Sequence, residues 1–346
     1  MIKAKVLCIL KKTAIFACCI GGYLGLEQLI ELQTKGFCLQ KITADDLPYQ
    51  PKWDTAPLSK EQMEEVEQAL DQPFRLIGSG SECFAFMSKD GKTVIKFFKL
   101  GFARPVYFNK GLLSEDHRAY AGTLSNHPLI QTKGTGWLNT CYQRVFGIRE
   151  FRLTRTFSSC KLAYDRLKEE TGVFYMHLNP TDTFHRNLTL IDKNGIAYEV
   201  PIDSAKFLLQ RRAEPLEKHF AQLVREKRYE DAQKSIDSLF TLIINRCKKG
   251  FYDRDFINRN LGYMGNQAIE IDLGSFIPDP NMANPLAYKK ELFFATLELR
   301  EWLEKKAPEL LPYFDQRLSD EIGANDRETQ NLSGNAEMRE QADQSL

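Results

Sequence analysis

The spacing of apolar residues changes period along the chain and divides it into a strand-rich part and a helix-rich part. From Phe74, FRLIGSGSECFAFMSKDGKTVIKFFKL alternates apolar and polar positions in two runs that turn at Asp90-Gly91, which predicts the start of an antiparallel sheet. A helical pattern over Ser158 to Glu170 interrupts it. Then VFYMHL from Val173, NLTLIDKNGIAYEVPI from Asn187 with a turn at Lys193-Asn194-Gly195, and KFLLQRRA from Lys206 predict further strands. Beyond Ala213 the period lengthens: Ile236, Leu239, Phe240, Ile243, Ile244 and Cys247 share one face of a helix over Asp231 to Lys249. A basic last turn and Gly250 close that helix. LGYM, a turn at Gly265-Asn266-Gln267 and AIEI predict a hairpin. Leu286 to Lys306 predicts another amphipathic helix, and Pro308 suits the first turn of a further one.

The flanks carry other patterns. Residues 1–30 hold a basic start, MIKAKVLCILKK, and an apolar run from Thr13 to Leu26 that predicts a targeting or anchor segment with membrane contact through residues 13–26. That run falls short of the ~20 residues of a membrane span, which leaves a signal peptide, a short anchor and an interfacial helix all open; an interfacial helix on the cytosolic face is the simplest arrangement, with secretion as the alternative. Residues 31–72 read as a connector and a short helix that Ser59 caps, with Glu61 and Glu64 in its first turns. Residues 101–155 lack a clear period and predict an insertion. Polar, acidic residues from about 318 to 346 predict a disordered tail.

Composition narrows the partners. The 346 residues hold 47 Lys and Arg against 46 Asp and Glu, so no global field draws the chain to nucleic acid. The 8 cysteines are scattered without zinc spacing and read as reduced thiols. His177, His185 and His219 show no ligand spacing, and Arg144, Arg149, Arg152 and Arg155 read as a solvated helix face.

The candidate chemistry lies in FYDRDFINRNLGYMGNQAIEIDLGSF, Phe251 to Phe276, where Asp255, Asn260 and Asp272 stand among apolar runs. A helix end, a polar loop of the form RDxxxxN, a hairpin and then DLG closely resemble the catalytic core of the protein kinase superfamily. Upstream, Gly78-Ser79-Gly80-Ser81 opens a strand turn and Lys96 follows in VIKFFK, in the order of the same family.

That resemblance covers about residues 74–317 and implies an α+β, two-lobed protein-kinase-like fold. An antiparallel β-sheet N-lobe would occupy residues 73–212, and a reduced, mainly helical C-lobe residues 213–317. It also implies ATP and Mg2+ as cofactors, and transfer of the γ-phosphate to a hydroxyl-bearing substrate. By resemblance, Asp255 is the base or hydroxyl-positioning residue, Asn260 and Asp272 are the metal ligands, and Lys96 contacts phosphates beside Gly78, Ser79, Gly80 and Ser81. An acid of the 158–170 helix, Asp165 or else Glu169 or Glu170, would pair with Lys96. Main-chain groups near Leu209, Gln210 and Arg211 would read adenine.

The pattern departs from the family in four places. Asp253 replaces the loop histidine, Leu273 the phenylalanine after the metal Asp, and Cys83 stands near the third glycine. Only SFIPDPNMANP separates DLG from the next helix, which suits a small atypical kinase or a small-molecule or glycolipid kinase. A pseudokinase scaffold that keeps the fold without catalysis is the reading from another class.

Overall fold

The computed structural model describes residues 35–43, 49–100 and 153–323. The chain divides into two compact units, Met1–Lys168 with Gly172–Arg212, and Glu169–Thr171 with Ala213–Leu346. The anchor segment, most of the insertion and the tail beyond Gly323 lie outside the described residues, as do Arg144, Arg149 and Arg152. Among the described residues no helix is long and apolar enough to cross a membrane.

In the first unit, α1 (Lys60–Leu70) starts at Ser59. The Gln62 N–H donates to Ser59 Oγ at 3.3 Å while Ser59 N–H donates to Gln62 Oε1 at 3.0 Å, a reciprocal cap that satisfies two helix-end donors. The run expected as two strands folds as three: β1 (Phe74–Ser79), β2 (Cys83–Ser88) and β3 (Thr93–Phe98). The additional turn is the glycine stretch itself, since Gly80 N–H donates to Cys83 O at 2.9 Å. The Asp90-Gly91 turn forms with Gly91 at φ 71°, where a side chain would be strained.

The helix expected over Ser158 to Glu170 forms earlier and in two pieces. The first is α2, described over 153–166, and the second is the single turn α3 (Lys168–Thr171), which ends on left-handed Gly172. Next come β4 (Val173–His177), β5 (Asn187–Ile191), β6 (Ala197–Pro201) and β7 (Phe207–Arg211).

The seven strands form one sheet in the order β4-β7-β3-β2-β1-β5-β6. One pairing corrects the antiparallel expectation: β5 runs parallel to β1, with Phe74 opposite Leu190. The chain leaves β4 at one edge and returns beyond β1 at the other, so direction is set by that long crossover and not by a hairpin. Alternation buries Phe74, Leu76, Phe84, Phe86, Ile95 and Phe97 on one face, where Phe86 and Phe97 meet edge to face at 5.9 Å. His177 is buried beside them, its Nδ1 2.7 Å from Ala205 O and its Nε2 2.9 Å from Thr181 Oγ1.

The second unit opens with β8 (Glu214–Pro215), α4 (Leu216–Arg225) and α5 (Tyr229–Lys248), followed by β9 (Phe251–Asp253), β10 (Leu261–Met264), β11 (Gln267–Glu270) and β12 (Phe276–Pro278). It closes with α6 (Pro285–Lys306) and α7 (Leu311–Ile322), so Ser319–Ile322, expected in the tail, are helical. Leu318 and Phe314 bury the inner face of α7, and Phe314 packs on Phe240 at 5.4 Å. β10 pairs with β11 across Gly265-Asn266 and with β8 on its other side. Gly262 permits the β8 pairing, because a Cβ there would lie 2.9 Å from Ala213 Cβ and 3.0 Å from Glu214 O. His219 is buried against Tyr263, rings 4.2 Å apart, with Nε2 2.8 Å from Ser235 Oγ.

Candidate functional site

In the second unit, Gly250 at φ 80° turns the chain out of α5 into β9. β9 pairs with β12 so that Asp253 stands opposite Phe276, which brings the loop beginning at Arg254 beside the chain following Asp272-Leu273-Gly274. Asp253, where the family has histidine, is buried. Its Oδ1 accepts the Asp255 N–H at 3.1 Å and the Ser275 hydroxyl, tying both segments to one carboxylate.

Asn260 connects the three residues singled out by the sequence. Its Nδ2 donates to Asp255 O at 2.8 Å and Asp255 Oδ2 at 3.3 Å, and its main-chain O accepts the Ile271 N–H at 2.7 Å. Asp272 N–H points to that same oxygen at 3.4 Å, and Asp272 Oδ1 accepts from Gly274 N–H at 3.3 Å. Asp255, Asn260 and Asp272 are therefore brought together, with both carboxylates exposed and the amide buried. Since Nδ2 of Asn260 is spent on Asp255, its Oδ1 is the atom left to accept. An amide oxygen beside a carboxylate is a hard donor pair, suited to Mg2+ held by one or two side chains together with phosphates and water. Among the described residues no group of three or more His, Cys, Asp and Glu is placed to hold a metal.

A brace behind this loop escaped the sequence reading. Arg246 of α5 is fully buried, donating from Nη1 to Glu270 Oε1 at 2.6 Å and from Nη2 to Glu291 Oε1 at 2.9 Å, with its guanidinium 4.7 Å over the Phe256 ring. Burial opposes the guanidinium's charge, and Glu270 and Glu291 more than restore it, so its pKa is raised. Burial pushes the Glu270 carboxyl up to about 8 against the pull of Arg246, and the negative charge of Asp253 acts in the same direction. The guanidinium therefore joins Glu291 of α6 and Glu270 of β11 to Phe256 of the loop. A charged residue at Arg246 amid the apolar spacing of α5 was the available signal, since a buried charge requires partners.

In the first unit, Gly78 is paired with Ala85 and Ala85 with Lys96, so these lie on the sheet face opposite the aromatic core. Ile77, missed by the sequence reading, stands at the register shift between Leu76 and Gly78 and is exposed at 37%, an apolar surface beside the glycine turn. Neither Gly78 nor Gly80 has left-handed φ. A Cβ on Gly78 would meet nothing within 4 Å, and one on Gly80 only Cys83 O at 3.9 Å. The fold itself does not demand glycine at either position.

Asp165 is engaged by Lys161 at 2.7 Å, and buried Glu170 by Lys249 at 2.6 Å within the second unit. Leu209, Gln210 and Arg211 lie inside β7, which pairs with β3 and β4; Arg211 N–H donates to Gly172 O and Arg212 N–H to Lys92 O, both at 2.9 Å.

No family model and no curated protein matches the chain. Solved structures with which it shares similarity include a complex of Rv3197 with erythromycin from Mycobacterium tuberculosis, at 14% identity and TM-score 0.30, covering 75% of this chain and 60% of that one. The bifunctional kinase-methyltransferase WbdD matches at 14% identity and TM-score 0.30, over 68% of this chain and 42% of that one. The chain thus spans less than two thirds of either. A streptomycin-ATP-APH(2")-IIa ternary complex matches at 13% identity and TM-score 0.26, over 82% and 95%. The chain is α+β, and a sheet unit with a glycine turn and Lys96, followed by a mainly helical unit with the Asp255 loop, a hairpin and Asp272, is the order of elements that the sequence resemblance implies.

Proposed function

We propose that the chain binds ATP with Mg2+ and transfers the γ-phosphate to a hydroxyl. The observation that carries this is the single bonded loop that joins Asp255, Asn260 and Asp272. Asp255, exposed and oriented by Asn260, receives the proton of the acceptor hydroxyl as its oxygen bonds to the γ-phosphorus; the bond to the β,γ-bridging oxygen breaks and ADP leaves. Asn260 Oδ1 and Asp272 would hold Mg2+, which when bound neutralises charge on the phosphates. In the first unit, Lys96 and the Gly78-Ser79-Gly80-Ser81 turn would contact nucleotide phosphates, and the glycines leave the approach open. Ile77 and Ala85 give the base an apolar surface. The short segment between Gly274 and α6 favours a small acceptor, and we place the protein at a membrane through residues 13–26.

A second reading, a scaffold without catalysis, is favoured by Asp165 being held by Lys161. Labelled γ-phosphate transfer to lysate proteins, to extracted lipids and to the chain itself separates the two readings. Wild type should transfer, and Asp255→Asn should lose ~10²–10⁴ in rate while keeping an ATP-induced, Mg2+-dependent rise in melting temperature. Asp272→Ala should lose both. Equal transfer by wild type and Asp255→Asn removes the assigned base; no transfer by either, with the melting shift intact, favours the scaffold.

A further inference from the structure

We propose that Lys99, to which nothing above assigns a role, is a positioning residue for the glycine turn, and that it turns the Ser81 N–H toward the face of the sheet that carries Lys96. Lys99 follows β3 directly. Three residues beyond Lys96, it projects from the opposite face, and its ammonium lies 4.4 Å over the ring of Phe84, a core-facing residue. From there Nζ donates to Ser79 Oγ at 2.9 Å and to Gly80 O. The Lys99 main-chain N–H also donates to Glu82 O at 2.8 Å, so this one residue grips the turn at both its beginning and its end.

The consequence follows from the geometry of the peptide bond. In a trans peptide the carbonyl and the following N–H point in opposite directions, and no peptide bond of the described chain is cis. Holding Gly80 O on the core side therefore directs the next donor, Ser81 N–H, to the other side, where Ala85 and Lys96 lie. A glycine turn without such a hold samples many orientations of its peptide planes, and a ligand must then bear the entropic cost of ordering them. Lys99 removes that cost before binding. The ammonium gives up part of its water to do so: burial draws its pKa below the usual lysine value, with Cys83 opposing and Lys41 assisting that shift.

This inference rests on the nucleotide reading, and it separates phosphate from base. With the full chain and Mg2+, ATP, ADP and adenosine binding are measured by calorimetry for wild type, Lys99→Met and Lys99→Arg. Lys99→Met should bind ATP and ADP on the order of tenfold more weakly and adenosine unchanged, and Lys99→Arg, which can donate to the same two oxygens, should recover most of the loss. Equal weakening for adenosine and ATP, or no weakening, overturns the proposal. If wild type binds no ATP, the nucleotide reading fails instead, and hydrogen exchange then tests the latch alone. Amides of Gly80 and Ser81 should exchange faster in Lys99→Met and at wild-type rate in Lys99→Arg; unchanged exchange in both rejects it. Lys99→Gln, which keeps one donor and the stem packed on Phe84, replaces Lys99→Met if the latter does not fold.

Discussion

Gly80 and Gly262 sit on the two halves of the candidate machinery and are glycines for opposite reasons. Around Gly80 the chain leaves space unfilled, whereas at Gly262 Ala213, Glu214 and Ile271 fill the space a Cβ would need. The same contrast holds for the polar groups. The glycine turn is held by a few hydrogen bonds at a partly exposed surface, while the Asp255 loop is tied to Ser275 through Asp253 and carries Phe256 beneath the buried ion pairs of Arg246. The first arrangement permits close approach of a ligand; the second fixes the direction of a reacting group.

The largest effect expected from this contrast is on stability of the second unit. Arg246→Met leaves Glu270 and Glu291 buried without their cation, and breaking a buried pair in this way costs about 3–5 kcal/mol. Denaturant unfolding should show that loss. Replacing all three, with Glu270→Leu and Glu291→Leu added, should recover much of it, because well-packed apolar groups of similar size often match a buried ion network. A loss under 1 kcal/mol for Arg246→Met would show that the brace is not needed to hold the loop. The corresponding substitution in the sheet of the first unit, Lys96→Met, should leave stability within about 1 kcal/mol and weaken ATP binding.

The first unit has its own buried titrating group, and it predicts a pH response of about 3 kcal/mol. Burial draws His177 down from 6.5 to about 4, with Lys206 also lowering it and Ala205 and Asp203 opposing. The neutral ring is therefore favoured in the folded state. Its contribution is fully present above pH 6.5 and is lost as pH falls from there through about 4, at ~1.4 kcal/mol per unit. Unfolding followed against pH should steepen in that window, and His177→Gln should flatten it. An identical acid limb in His177→Gln would assign the response to another group.

Sequence made visible the features whose cause is local. Ser59 lies three residues from its capping partner Gln62, and the Asp90-Gly91 and Gly265-Asn266 turns announce themselves by needing left-handed φ at Gly91 and Gly265. The spacing of Asp255, Asn260 and Asp272 was legible because one loop and one hairpin join them. Features that depend on distant chain were not. Arg246 meets Glu270 at 24 residues' separation and Glu291 at 45, and nothing in either neighbourhood selects the other. The parallel β1–β5 pairing depends on a crossover from the far edge of the sheet. The ion pair between Lys161 and Asp165, one helical turn apart, is local in the same sense as the caps and turns.

The smallest effects test the glycine contrast itself. Gly262→Ala must displace main chain at Glu214 and the Cβ of Ala213, neither of which can rotate away, so overpacking should cost about 1–3 kcal/mol with nucleotide affinity unchanged. Gly80→Ala meets only Cys83 O at 3.9 Å, so stability should stay within about 0.5 kcal/mol. A methyl at that position still occupies the space through which phosphate oxygens would reach the turn, and ATP should bind on the order of tenfold more weakly, about 1.4 kcal/mol. Melting curves and ATP titrations on the same two variants read both quantities. If Gly80→Ala keeps wild-type affinity, the open space at the turn serves no ligand, and the nucleotide assignment must rest on Lys96 and the Asp255 loop alone. If instead Gly80→Ala unfolds as readily as Gly262→Ala, the difference between a glycine kept for a ligand and one kept for packing disappears.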